Sequence, residues 1–299
     1  MRIKLLYILS SVLLLTAVSC SQEIVPELPV EEGGITLTLH NMVPLTKTQP
    51  GVEDLNENLI ESIHYFLYPK DGTDQNTEKE PAKEGVLTGL SSQVDHTFRI
   101  NVSEDLLKNT LFKYPYNDCD VYVIVNLPDG VLATASDHKL STLRSMVVNA
   151  NFNSSLEQEA FVMEGLGTAS IIDRRKVLAA SGTIDVSRLA SKITVGVKVK
   201  ESIQTMDNQT STNGQVWTSK PQDMLIELVN GASVAVLSGN PTMVESQILY
   251  TDNNQQRIFS DTDGDQIWSC AQFYSYPSKW DIGSDEEPYL RITLPWETT

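Results

Sequence analysis

Cys20 is the residue whose type and setting most clearly predict chemistry, namely the attachment of a lipid to its thiol. Arg2 and Lys4 precede an apolar run from Leu5 to Val18, and the small residue Ser19 stands directly before the cysteine. This order is typical of an export signal cleaved between Ser19 and Cys20. The run is shorter than the roughly 20 apolar residues of a membrane-spanning helix. We predict that a lipid on Cys20 tethers the exported protein to the outer membrane at the cell surface; an ordinary secretory signal containing a cysteine is the alternative.

Residues that could bind a metal or catalyse a reaction are few and scattered. The sequence has no nucleophile-elbow, zinc-protease, phosphate-loop or dinucleotide motif. Asp261–Asp265 places carboxylates at alternate positions, as calcium prefers. An EF-hand loop would need glycine where Gln266 stands and glutamate where Gln272 stands, so an ordinary acidic turn is predicted. We expect no metal, no cofactor and no catalytic residue, and therefore a protein that is not an enzyme. The four histidines are expected to be structural or surface residues: His40, His64, His96 and His138.

Charge and cysteine content restrict the partners further. The net charge of −17 becomes −19 when residues 1–19, which hold two basic residues and no acidic one, are removed. Such a surface repels nucleic acid and anionic lipid, so no nucleic-acid partner is expected. Cys119 and Cys270 remain besides Cys20 and predict two buried free thiols, with a bridge between them as the alternative.

The aromatic residues raise one alternative function. All four tryptophans fall in the second half of the chain, and an exposed tryptophan can stack on a sugar ring. Core or interface positions are the commoner use of this residue. A surface lipoprotein that binds carbohydrate or another ligand is therefore the second hypothesis. The tryptophans concerned are Trp217, Trp268, Trp280 and Trp296.

The pattern of apolar residues predicts an all-β protein with few short helices. Period-two alternation or short apolar runs flanked by turn residues predict strands. Ser103 is expected to cap one short helix, and Ser136 or Asp137 to cap another over residues 140–148. Residues 201–222 are polar and predict a long loop, and Asn230-Gly231 predicts a hairpin turn. Strands are predicted at 35–39, 63–68, 121–125, 160–163, 193–199, 225–229, 234–237, 273–276 and 289–294.

Four segments follow from these patterns. Residues 1–19 are the signal peptide, and 20–34 form a lipidated tether rich in polar residues, proline and glycine. Residues 35–186 and 187–299 are predicted to form two β-sandwich domains. The second domain is expected to be incomplete at its C-terminus, because Glu297-Thr298-Thr299 follow a strand without a closing element.

Several segments, taken in order over roughly residues 1–295, resemble the fimbrillin-type pilin family of Bacteroidia, whose members are major, anchor and tip subunits of lipoprotein-derived pili. The most specific parts are the lipidation motif at Cys20 and the segment Arg188–Val195, which includes Arg188 and Lys192. The other segments that carry the resemblance are Ile35–Leu39 with Pro44–Lys47, Ile63–Tyr68, Val121–Asn126, Phe161–Gly165, Leu225–Asn230 and Phe273–Tyr276.

The resemblance implies a fold, a function and partners. The fold would be two tandem transthyretin-like β-sandwich domains. The function would be that of a fimbrial subunit or associated lipoprotein that mediates adhesion and is assembled by β-strand exchange. A trypsin-like protease would remove the N-terminal strand, and Lys47 stands where the family usually has arginine. The partners would be other fimbrial subunits, the outer membrane through the lipid on Cys20, and a host or bacterial surface ligand.

Overall fold

The chain folds mostly into β-strands in the part that a computed structural model describes, which is residues 33–41, 59–70, 78–90, 96–149, 160–171, 179–200, 202–206, 213–239, 242–243, 247–251, 257–260 and 267–298. The predicted all-β class with few short helices is confirmed. The strands are β1 Gly34–Asn41, β2 Ser62–Pro69, β3 Lys83–Thr88, β4 Thr97–Asn101, β5 Asp118–Val125, β6 Val147–Asn149, β7 Met163–Ile171, β8 Ala179–Arg188, β9 Ser191–Val199, β10 Ser202–Met206, β11 Asn213–Ser219, β12 Leu225–Ala232, β13 Val234–Val236, β14 Thr242–Met243, β15 Gln247–Thr251, β16 Arg257–Ser260, β17 Ile267–Ser275, β18 Ser278–Lys279, β19 Tyr289–Thr293 and β20 Trp296–Thr298.

The helical segments are short excursions between strands. Helix α1, Glu104–Leu106, continues into a π-helical turn, Leu107–Leu111. Ser103 caps it as predicted, because its hydroxyl oxygen accepts a hydrogen bond from the backbone N–H of Leu106 at 3.3 Å. Within the described residues, no helix is long and apolar enough to span a membrane. The remaining helical segments are α2, Leu140–Ser145, and the 3₁₀ turns Leu132–Thr134 and Pro221–Asp223.

The second predicted helix is shorter than expected and has a different cap. Lys139 occupies the N-cap position and its side chain makes no capping hydrogen bond, so Ser136 and Asp137 were the wrong candidates. The helix ends at Ser145 rather than Val148, because β6 follows at once and pairs with β13. Long-range strand pairing has therefore replaced the last helical turn that the local sequence predicts.

The first half of the chain builds one seven-stranded sheet in the order β3-β2-β5-β7-β8-β1-β4. Strand β5 lies between β2 and β7 and is buried on both faces, as its unbroken apolar run predicts. Its odd-numbered valines join a first core, whereas Tyr122 and Ile124 join a second. The first core also receives the inward side chains of β8, β1 and β4 at one end of the sheet order and those of β2 near the other end.

The second core joins this sheet to later strands. Phe66 and Tyr122 of the seven-stranded sheet share it with Ile226 of β12 and Phe273 of β17. Residues Gly33–Thr299 form one compact unit that contains both cores. The division into domains at residues 186 and 187 stays a prediction.

Close backbone approach of β7 and β8 requires glycine. The two strands pair at Met163↔Arg188 and again at Ser170↔Ser181. Between these points a Cβ atom on Gly165 would lie 2.5 Å from the carbonyl oxygen of Asp185, and one on Gly182 would lie 2.4 Å from that of Thr168. Real atoms do not approach so closely, so these positions admit only hydrogen in place of a side chain.

Gly182→Ala is expected to lower the free energy of unfolding by about 1–3 kcal/mol, the usual cost of forcing extra atoms into a packed site. The obstructing atom is a backbone carbonyl oxygen, which cannot move without disturbing the β7–β8 pairing. Thermal or urea unfolding would measure the loss. Ser181→Ala is the matched control, because Ser181 is exposed on the same strand and its replacement should change stability by about 0.5 kcal/mol or less. Equal stabilities for the two variants would contradict the close approach of β7 and β8 at this position.

The second half of the chain departs from two sequence predictions. Residues 201–222 are not a loop throughout: β10 and β11 pair as antiparallel strands within them. Asn230-Gly231 is not a hairpin turn, because β12 runs through both residues and β13 pairs with β6 instead. Asn230 takes the left-handed conformation, φ 61°, where the register between β12 and β15 shifts. The sheets here are β10-β11-β20, β15-β12-β19 and β16-β17-β9, with the two-stranded pairs β13-β6 and β14-β18.

One further strand differs in extent from its prediction, and the last strand was not predicted. Strand β7 begins at Met163, where the predicted strand ends, and continues through Gly165 to Ile171. Ala160, the predicted start, has φ 61° and precedes the strand. The last strand β20 pairs with β11, so residues 296–298 take part in a sheet.

Candidate functional site

Strand β1 is held between two other strands. It pairs antiparallel with β4, in the register Gly34↔Asn101 to Thr38↔Thr97. On its other edge it pairs in parallel with β8 over its whole length, from Gly34↔Ala179 to Asn41↔Val186. Both rows of backbone hydrogen-bonding groups of β1 are therefore engaged, and its loss would open a strand edge on each neighbour.

The inward face of β1 is fully buried. Ile35, Leu37 and Leu39 are 0, 2 and 3% exposed and belong to the first core. Burial of an aliphatic side chain contributes roughly 1.5–3 kcal/mol, so the three together contribute about 5–9 kcal/mol. The alternating outward residues Thr36, Thr38 and His40 are only partly covered or exposed. The strand is therefore fixed by apolar side chains on one face and ladder bonds along both edges.

The two ends of β1 are also fixed. Gly33 has φ +87°, and a Cβ atom there would lie 2.4 Å from the carbonyl oxygen of Val102. The carbonyl oxygen of Gly33 accepts a hydrogen bond from the N–H of Val102 at 3.3 Å, and the N–H of Leu39 donates to the carbonyl oxygen of His96 at 2.9 Å. These bonds set where the strand enters and leaves the sheet.

The site residues predicted from the N-terminal sequence lie outside the described residues. They are Ser19, Cys20 and Lys47. In the sequence, Cys20 stands 14 residues before the start of β1, and Lys47 stands six residues after its end. A cut after Lys47 would leave β1 attached to the rest of the chain by non-covalent contacts alone.

Arg188 and Lys192 of the family-like segment each contact one ring of a tilted aromatic pair, Phe161 and Tyr274. The guanidinium of Arg188 lies 5.0 Å from the ring centre of Phe161, and the ammonium of Lys192 lies 6.0 Å from that of Tyr274. The two rings are 4.7 Å apart. Cations over aromatic faces are attracted by the ring quadrupole. The two motif residues therefore help to join the end of β8 and the start of β9 to the second core, and the sequence did not reveal their aromatic partners.

Ionisable groups with displaced pKa values lie in the interior. Burial raises the pKa of Glu164 above its usual range, against the opposing attraction of Arg144. Burial, and next the nearby charge of Glu164, raise the pKa of Tyr122. The Arg144 guanidinium lies 3.7 Å from the Glu164 carboxylate. Tyr122 belongs to the second core, so these charges bear on the stability of that core.

Glu164→Gln is expected to stabilise the protein at pH 7. The raised pKa means that the folded state binds the Glu164 proton more tightly than the unfolded state does. Stability contributed by this group is therefore complete at low pH and falls as the pH rises from about 4.5 through the folded pKa. The gain in unfolding free energy of Glu164→Gln should grow over that window and then level off.

Urea unfolding of wild type and Glu164→Gln between pH 4 and pH 8 measures this difference. The exposed Glu61→Gln serves as the control for loss of one negative charge. A difference that is largest at pH 4 would contradict the burial of Glu164.

The contacts of His138 are structural in the part of the chain that the structure describes. The Nδ1 atom of His138 lies 2.5 Å from a carboxylate oxygen of Glu84, and the hydroxyl of Tyr68 donates to the backbone oxygen of His138 at 2.7 Å. These contacts join residue 138 to β2 and β3, which is a structural role. Among the residues that the structure describes, no group of three histidine, cysteine or acidic residues could hold a metal ion.

The structure describes Cys119 but not the acidic segment that was considered for calcium. Cys119 is a free, buried thiol, so the bridge to Cys270 was the wrong alternative. Burial raises the pKa of Cys119 to about 12, which keeps it protonated and unreactive. The segment Asp261–Asp265, for which an ordinary acidic turn was predicted, lies outside the described residues.

The tryptophans differ in exposure. Trp280 is 37% exposed and stands next to the exposed Asp281. Trp217 and Trp296 are half-buried, in β11 and β20. Among the tryptophans whose side chains the structure describes, Trp280 is therefore the most exposed.

Comparisons with known proteins give only distant similarity in structure. No protein-family model matches the sequence, and no curated protein matches it. A proposed adhesin from Bacteroides thetaiotaomicron is similar with a TM-score of 0.48 at 10% identity, covering 87% of this chain and 75% of the other. A proposed cell adhesion protein from Parabacteroides distasonis has a TM-score of 0.44 at 13% identity, covering 90 and 80%. A fimbrial assembly protein from the same species has a TM-score of 0.43 at 9% identity, covering 90 and 85%.

Proposed function

We propose that this chain is a cell-surface lipoprotein that serves as a structural subunit of a fimbria, or as a fimbria-associated lipoprotein, mediates adhesion and is assembled by β-strand exchange. The observation that carries the proposal is the position of β1. It is the first described strand, it fills an apolar groove, and it pairs on both edges. In the sequence a lipidation motif precedes it and a basic residue follows it.

The proposed assembly follows from this arrangement. The lipid on Cys20 delivers the protein to the outer membrane, and a trypsin-like protease cuts the chain after Lys47. Cleavage severs the covalent link between β1 and β2. The groove between β4 and β8 then accepts a strand from another subunit. Main-chain ladder bonds give affinity, and side chains at alternate positions give specificity.

The incoming strand must satisfy the chemistry of the vacated groove. Three apolar side chains at alternate positions would replace Ile35, Leu37 and Leu39 in the first core. The strand would run antiparallel to β4 and parallel to β8 if it kept the direction of β1. A polar residue at the central inward position would be left without a partner at a cost of several kcal/mol.

Assembly of the lipidated, exported protein after protease treatment tests the proposal. Brief treatment with a trypsin-like protease should yield an SDS-resistant ladder of oligomers and a mature N-terminus at residue 48. Lys47→Gln should keep its N-terminus and stay monomeric, while Lys79→Gln is a matched lysine control. Protein that is cut at Lys47 and yields no ladder contradicts the polymerising role. Retention of the N-terminus in wild type favours an anchor.

An alternative proposal is a surface lipoprotein that binds carbohydrate or another ligand. The exposed indole of Trp280 supports it, since sugars stack on aromatic rings. A glycan array with wild type, Trp280→Ala and Trp217→Ala distinguishes the two. Glycan binding that is lost in Trp280→Ala favours the alternative.

A further inference from the structure

Strand β19 has apolar side chains on its core-facing side that the described residues leave half-exposed. Leu290 and Ile292 are directly opposite Leu228 and Ile226 of β12. Opposite residues of an antiparallel pair project from the same face of the sheet. The β12 residues are 3 and 0% exposed members of the second core, whereas Leu290 and Ile292 are 41 and 45% exposed. The second core therefore continues to the edge of this sheet and is uncovered there.

The backbone of β19 is also open on one side. In the sheet β15-β12-β19 it is an edge strand, and within the described residues its ladder partner is β12 alone. All five of its residues are exposed. An edge strand with exposed apolar residues is a template for pairing with another strand.

The loop before β19 gives this edge a negative charge. Asp281, Asp285, Glu286 and Glu287 are all exposed and lie within seven residues. The loop is held in place, because the side-chain amide of Asn230 donates to the backbone oxygens of Asp285 at 2.7 Å and Glu287 at 3.0 Å. Asn230 is itself buried, at the register shift of β12. The shift therefore positions a negatively charged rim at the start of the open edge.

We propose that the β19 edge binds an extended polypeptide segment that alternates apolar with polar residues and carries lysine or arginine at the end facing the acidic loop. Its backbone extends the β15-β12-β19 sheet by one strand. Its apolar side chains cover Leu290 and Ile292, and its basic side chains pair with the carboxylates of residues 281–287. This surface is separate from the β1 groove and does not depend on strand exchange there.

Charge favours this occupant over a second copy of the chain. Two copies would each bring a net charge of −17 and an acidic loop to the shared edge. Like charges oppose such an approach over about 8 Å at physiological salt. The negative charge of the acidic loop attracts a basic segment instead.

Binding of a labelled peptide to the exported protein tests the proposal. The probe is a nine-residue peptide with the sequence of residues 192–200, which alternates apolar and polar residues and carries three lysines. Fluorescence anisotropy should show saturable binding that weakens as salt rises. The same peptide with glutamate for lysine should not bind. Hydrogen exchange of residues 289–293 should slow when the lysine peptide is bound.

Matched variants locate the site. Leu290→Thr/Ile292→Thr should weaken binding about tenfold or more through lost apolar contact. Asp285→Asn/Glu286→Gln/Glu287→Gln should weaken it and flatten the salt dependence. Val86→Thr is the control, because Val86 is 50% exposed on another edge strand, β3. Circular dichroism verifies that each variant is folded.

Three outcomes would overturn the proposal. One is failure of the lysine peptide to bind wild type. Another is equal weakening of peptide binding by Val86→Thr and by the β19 variant, which would show that the peptide binds exposed apolar strands non-specifically. The third is a concentration-dependent dimer in sedimentation that Ile292→Lys abolishes, which would assign the edge to a second copy of the chain.

Discussion

Leu37→Ala is expected to lower the free energy of unfolding by about 2–5 kcal/mol, the range for removing a large aliphatic side chain from a core. Leu37 is 2% exposed in the middle of β1. Its neighbours are Phe98 on β4 and Gly182 on β8. Gly182 has no side chain that could move into the space, and its backbone is fixed against Thr168. The cavity should therefore stay open, which places the expected loss toward the upper part of the range.

Urea unfolding monitored by tryptophan fluorescence measures this loss. His40→Ala is the matched control on the same strand, because the His40 side chain is exposed and its contact with Asp185 is a surface pair at 3.8 Å. Such pairs contribute about 0–1 kcal/mol. A Leu37→Ala variant as stable as His40→Ala would mean that β1 does not fill the first core in solution.

Strands that bury one face could be predicted from the sequence because burial produces alternation. Ile35, Leu37 and Leu39 alternate with polar residues, and the structure places these three in one core. The continuous run of β5 was equally informative, since a strand covered on both faces needs apolar residues throughout. In these strands, buried positions hold apolar residues and exposed positions hold polar ones, so the residue types alone predict the burial of each side chain.

Strands with polar surfaces and long-range pairings could not be predicted in this way. Residues 202–206 and 213–219 form β10 and β11 although their segment is polar, because exposed strands place little demand on side-chain type. Asn230-Gly231 is a common turn pair, yet β12 continues through it. Its left-handed Asn230 serves a register shift rather than a turn.

The candidate site has some features that the local sequence predicts and others that depend on long-range pairing. The alternation of β1, the motif at Cys20 and the basic residue Lys47 could each be recognised from a short stretch of sequence. The parallel pairing of Gly34 with Ala179 joins residues far apart in the chain, and no local pattern specifies it. That pairing is the feature that makes β1 an internal strand rather than an edge strand. Similarly, Arg188 and Lys192 stood out by motif, but only the fold brings Phe161 to Arg188 and Tyr274 to Lys192.

Removal of residues 1–47 after cleavage at Lys47 should have a larger effect than any single substitution described above. Before any strand exchange, the nick alone should change the melting temperature little, because β1 still has its two ladders and its buried face. Unfolding the nicked protein, separating the fragment and refolding the remainder should forfeit about 5–9 kcal/mol of apolar burial. Whole domains have only about 5–15 kcal/mol of net stability. The stripped protein should therefore melt at a much lower temperature and bind a hydrophobic dye.

A synthetic peptide of residues 33–41 should reverse this loss when added to the stripped protein. The peptide restores both ladders and the three buried side chains, so the melting temperature should rise with peptide concentration, as for any ligand that binds only the folded state. The same peptide with Leu37→Asp is the matched control, because a carboxylate in the first core would have to be buried without a partner. It should give no rescue. Stripped protein that melts like the intact chain, or rescue by both peptides alike, would contradict a groove shaped for an apolar strand and with it the proposed exchange at β1.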